Sequence, residues 1–167
     1  GHPTFAMAVV LPALLIGAAL GARLTQGLTR EGEGRVGALA CGAVALLAAL
    51  AAYLLPDLIA ALLGTPKALR VAVSGLMVLG SGVAMGMPFP ILLRSSELKD
   101  PGVTPFLWAI NGAASVFGSV LGMVVAVFGG YALAFMVGSL AYILAGLCLL
   151  LRERSPIPLV DSAVALT

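Results

Sequence analysis

The residues best placed to do chemistry lie in the stretch Trp108-Ala-Ile-Asn-Gly-Ala-Ala-Ser115 and just beyond it. Asn111, Ser115, Gly118, Ser119 and Gly122 recur at intervals of three and four, which on a helix gathers them onto one face. An amide and two hydroxyls on such a face can hydrogen-bond a neighbouring helix in a membrane, each bond worth roughly 0.6–2 kcal/mol, and the glycines let backbones approach. The face therefore has two uses, an interhelical seam or a patch that touches a small substrate.

Reaction chemistry has little to work with. His2 is the sole histidine and sits at the very start, so no paired-histidine haem, His-rich metal site or Ser-His-Asp set can be assembled. No Walker loop occurs, and no Gly-x-Gly-x-x-Gly follows a strand. No carboxylate or base lies deep in an apolar stretch, where an ionisable group is costly and retained for transport or proton work. Asp57 and Arg70 come nearest, and both read as solvated charges at a membrane boundary. Cys41 and Cys148 fall within apolar runs and read as small packed hydrophobes. Catalytic residues, metal and cofactor are accordingly expected to be none.

The elements that carry these residues follow from the distribution of charge. Between Asp100 and Arg152 the chain runs 51 residues without an Asp, Glu, Lys or Arg. A helix needs about 20 residues to cross the hydrocarbon, so this run suffices for two crossings, with Gly129-Gly130 where a tight turn belongs. The windows 1–22, 36–56 and 71–93 are also uncharged, each close to one span. The chain is 61% hydrophobic and 10% charged, with mean hydropathy +1.14, against about 45–50% and about 25% for soluble domains. A net charge of +2 gives no footing for nucleic acid.

The expected fold is an all-α, polytopic membrane bundle of about five helices, over 5–22, 36–55, 68–87, 105–128 and 131–151. A transmembrane domain then covers 1–154 and a cytoplasmic tail 155–167. Gly17 and Gly21 flatten one face of the first helix for contact, and Gly82 and Gly86 do so on the third, with Gly118 and Gly122 on the fourth. Pro56-Asp57 is expected to end the second helix, leaving Leu58–Leu63 as an interfacial turn. Two prolines in Gly86-Met-Pro-Phe-Pro90 are expected to preclude regular helix there. With the N-terminus outside and the C-terminus inside, the cytoplasmic segments hold seven basic residues, Arg23, Arg30, Arg35, Arg94, Lys99, Arg152 and Arg154. The external segments hold Lys67 and Arg70, so basic residues favour that orientation. The expected location is an integral one, in a prokaryotic inner (cytoplasmic) membrane. The broken end at Pro88, Phe89 and Pro90 then shares a membrane face with Trp108, Asn111 and Ser115, as a mouth or docking platform for a substrate or partner. Trp108 fits an interfacial anchor.

Three stretches carry a family resemblance: Gly1-His-Pro-Thr-Phe-Ala-Met-Ala-Val-Val-Leu11 with Gly17-Ala-Ala-Leu-Gly21, Met85-Gly-Met-Pro-Phe-Pro90, and Trp108-Ala-Ile-Asn-Gly-Ala-Ala-Ser-Val-Phe-Gly-Ser119. In this order and spacing, over most of 1–150, they resemble the hydrophobic C-terminal region of membrane-bound spermidine synthase-like proteins, described as fused transporter-like and aminopropyltransferase-like proteins. The resemblance implies polytopic helices attached to a Rossmann-like domain of polyamine biosynthesis, with a further helix before Gly1. This chain has no nucleotide-binding strand-loop-helix unit and no acidic set for gripping a diamine, so no catalytic residue carries over. It is expected to be the non-catalytic membrane module, anchoring or docking a cytoplasmic protein partner or missing domain within the lipid bilayer, as an oligomer or alone, and handling a small substrate. The alternatives are half of a two-bundle transporter and a structural subunit of a larger respiratory or photosynthetic complex.

Overall fold

The computed structural model describes residues 3–28, 30–97 and 102–154, and among them every element is helical and no strand occurs. His2, Lys99 and the tail over 155–167 lie outside the described residues. Helix α1 (Pro3–Leu24) passes through Pro12 and ends in a 3₁₀ turn, Thr25–Gly27. Its apolar composition makes this tolerable, because a lipid-embedded helix keeps its remaining backbone bonds whatever one proline removes.

Helix α2 (Arg30–Leu62) exceeds the sequence-based bounds at both ends. It begins inside the polar segment and does not stop at Pro56, so the interfacial turn expected over 58–63 is instead the last part of the same helix. The alanines and leucines flanking Pro56 are the strongest helix formers and offset a proline that costs about 3 kcal/mol. Helix α3 (Lys67–Met85) follows Pro66. Helix α4 (Pro88–Glu97) occupies the stretch expected to be irregular. Pro88 and Pro90 stand at its first and third positions, where backbone N–H groups have no intrahelical partner, so their missing donors cost nothing.

Helix α5 (Val103–Arg154) has 52 residues. Run straight it would reach about 78 Å, against a hydrocarbon thickness of about 30 Å. It is broken at Gly130, where φ is 81° and ψ is 167°, a conformation that only glycine adopts readily. We call its two arms α5a (103–129) and α5b (131–154). Phe89 meets the ring of Trp108 on α5a and also lines a groove with Cys148 on α5b. Those two residues would stand about 60 Å apart on a straight helix, so α5 doubles back at Gly130.

Packing interleaves the chain: α1 lies on α3, and α2 lies on α5b. The first pair touches backbone to backbone. A Cβ at Gly17 would strike the carbonyl of Leu79, one at Gly21 that of Val83, and one at Gly86 that of Ala18, while one at Gly82 would come within 2.7 Å of the Leu14 carbonyl. The second pair buries Ala40, Cys41, Val44 and Ala45 of α2. Ser139 on α5b donates its hydroxyl to the Ala45 carbonyl at 2.8 Å, a buried bond between the two helices.

Among the described residues four stretches are long and apolar enough to cross a membrane: Thr4–Gly27, Gly32–Leu62, Lys67–Arg94 and Val103–Leu151. Their surfaces carry large exposed apolar side chains such as Leu15, Leu39, Leu76 and Phe117. Lipid is the solvent that such a surface requires. The polar ends are held separately. Lys67 sits 4.5 Å from the ring centroid of Phe5 at one end, and Arg94 meets Glu33 at the other, here called the arginine end, beyond the last turn of α1 that carries Arg23.

Candidate docking site at the arginine end

Helix α4 is the hub of this end. Gly86, pressed on Ala18, fixes where α3 stops, and the prolines start α4 two residues later. Arg94, near its C-terminus, donates hydrogen bonds to the carbonyls of Thr25 and Gln26, the latter at 3.2 Å. Those carbonyls belong to the 3₁₀ turn that closes α1, the end at which a helix carries partial negative charge, so a guanidinium is well matched. The same side chain stands 3.9 Å from Glu33, near the start of α2, whose positive end favours a carboxylate. Glu33 is buried, and Thr25, 1% exposed, turns its own hydroxyl back to the Ala22 carbonyl at 2.8 Å. One arginine thus ties α1, α2 and α4.

The other side of α4 faces α5. The rings of Phe89 and Trp108 meet edge to face, 5.0 Å between centroids at 77°. This brings together two stretches expected from the sequence to share a membrane face. Pro88 and Phe89 also line an apolar groove with Leu92 of α4 and Ala145, Cys148 and Leu149 of α5b. Pro90 is half-buried, and Ile91, beside it, is buried against α2, close to Gly37. The Cys148 thiol is free and exposed, whereas Cys41 is free and buried.

Beyond Trp108 the small-polar face behaves differently. Asn111 is half-buried, but every residue from Gly112 to Val124 is exposed. Bulky residues on all sides of α5a share this, with Val116 at 67%, Phe117 at 71% and Met123 at 71%. A Cβ at Gly112, Gly118 or Gly122 would meet nothing within 4 Å. The Ser115 hydroxyl donates to the Asn111 carbonyl at 2.7 Å, and that of Ser119 to the carbonyls of Ser115 and Val116. These hydroxyls are spent inside their own helix, the usual resort of serine without a cross-helix acceptor.

Of the residues singled out in the sequence, the structure therefore joins Pro88, Phe89 and Trp108, and separately Gly17, Gly21, Gly82 and Gly86. It leaves Ser115, Gly118 and Gly122 on an open surface. The sequence reading did not single out the Arg94, Glu33 and Thr25 junction, since Arg94 counted there only as a loop charge. A buried acid in a glycine-punctuated polar segment gives no local sign of its distant partner.

Among the described residues no group of three His, Cys, Asp or Glu side chains comes together. What the arrangement offers is recognition of apolar groups beside a charged rim. The chain matches no protein-family model, no characterised protein and no solved structure.

Proposed function

We propose that this chain is a membrane-embedded docking module, whose α5a face receives helices of a protein partner and whose arginine end faces the cytoplasm. The observation that carries the reading is the bareness of 112–124 beside two well-packed helix pairs. A helix carrying Ser115 and Ser119 along a stretch, 112–124, that is exposed on every side is an unfinished seam, because membrane helices associate through such faces. The polypeptide crosses five times, with α5a and α5b as separate spans turning at Gly130, the N-terminus outside and the last helix ending inside. Supporting that orientation, seven basic residues fall on the inner side and two on the outer. The partner is a cytoplasmic aminopropyltransferase-like domain with its own membrane helices, in keeping with the likeness to spermidine synthase-like proteins.

The test is a photo-crosslinking residue placed at Ser115 or Gly118 in cell membranes. A discrete heavier adduct, lost when Gly122→Leu is added, is the expected result. Crosslinks to lipid alone, together with a monomer that retains no partner after mild solubilisation, would overturn the reading.

A further inference from the structure

The two arms of α5 carry matched stripes. On α5a, Gly112, Ser115, Ser119, Gly122, Ala126 and Gly129 recur at alternating intervals of three and four, which lines them up as a narrow row of small residues. On α5b, Leu133, Val137, Leu140, Leu144, Leu147 and Leu151 recur in the same way, and all six are exposed. Their row lies away from α2, which takes the opposite side of α5b through Ser139 and Gly146. Counted outward from Gly130, Leu140 falls between Ser119 and Gly122, Leu144 between Ser115 and Ser119, and Leu147 between Gly112 and Ser115. Large side chains opposite the gaps in a row of small ones make the knobs-into-holes pattern of paired helices.

The first rung of that pairing is made. A Cβ on Gly129 would strike the side chain of Leu133, so the two rows face each other at the turn. Beyond it they part, since 112–124 is exposed and a Cβ at Gly112 or Gly122 would meet nothing within 4 Å. At its far end α5a meets α4 instead, where Trp108 lies edge to face on Phe89. Phe89 engages both arms, because it also lines the groove that holds Cys148 of α5b. Between the rung and the latch stands Gly130, whose missing side chain leaves the backbone free to change angle. We propose that α5 is a strap held open: α5a swings about Gly130 to lay its small row on the leucine row of α5b, and the Phe89–Trp108 contact holds it away. In hydrocarbon the closed form gains close packing of a small face on a large one. It covers the face that a partner helix would take, yet it needs no partner to exist.

The test uses the full chain in membrane vesicles, in a Cys41→Ala, Cys148→Ala background carrying Ser119→Cys and Leu140→Cys, positions that oppose each other only when the strap is closed. Under mild copper-catalysed oxidation by air a disulfide within one chain is expected. Phe89→Ala should raise its rate about two- to tenfold, the weight of one edge-to-face aromatic pair. Gly146→Cys with the native Cys41 and with Cys148→Ala is the control for folding, because the two Cβ atoms would lie 3.2 Å apart and their crosslink reports the α2–α5b pair. A parent protein that passes this control but gives no disulfide, or links only between copies, would overturn the strap whatever Phe89→Ala does. An unchanged rate in a Phe89→Ala protein that passes the control would overturn the latch.

Discussion

Arg94 satisfies acceptors on one helix end and an acid on the start of another. Its removal leaves Glu33 buried without its partner, so Arg94→Ala is expected to lower stability by about 1.5–3 kcal/mol, the range for hydrogen bonds to charged groups. Thermal unfolding in detergent measures this. Arg94→Lys should recover only part of the loss, because an ammonium cannot reach two carbonyls and a carboxylate in a planar fork. The serines separate in the same way. Ser139→Ala forfeits a buried bond between α2 and α5b, worth about 0.6 kcal/mol by comparison with other membrane helices. Ser115→Ala removes only an intrahelical bond on an exposed surface, and unfolding of the isolated protein should not register it. Residue type alone does not distinguish Ser139 from Ser115. The helix against which each one stands does so, and that is a property of the folded chain.

Among the elements, α1 and α3 form the tightest contact. Gly21→Leu would set a side chain on the Val83 backbone and is expected to separate the pair, with loss of cooperative unfolding. Gly118→Leu has open space and should leave the isolated protein as stable as the parent or slightly more so, since glycine is a poor helix former. Circular dichroism melts of the two variants give the comparison directly. The existence of the long helices was legible in the sequence, because charge-free runs of about 20 residues have few other meanings. Their ends were less so. Pro88 and Pro90 read as breakers, yet they stand in a first turn that needs no donors, and Pro56 sits in an alanine-leucine context that carries helix through it. A proline's effect depends on its place within a helix, which local sequence does not state. The site was legible where Phe89 and Trp108 meet, and hidden where Glu33 and Arg94 meet, since nothing near either charge marks the other.

For the whole molecule, the decisive residue is Gly130. Any side chain there must occupy a backbone region almost reserved for glycine, so Gly130→Ala is expected to cost about 1–3 kcal/mol. If α5a and α5b are separate spans, single cysteines at Thr104 and Leu151 in a cysteine-free background will react with an impermeant maleimide from the same face of sealed vesicles. Reaction from opposite faces would mean that α5 crosses once. The interleaved pairing has a further effect on biogenesis. During translation α1 emerges well before α3, and α2 must wait for α5b, which follows it by about 70 residues. Neighbours in the chain are therefore not each other's main partners, and no early hairpin locks the order of insertion. A ribosome that halts before residue 131 leaves α2 with its alanine face open to the bilayer and to proteases. The arrival of α5b is what covers that face.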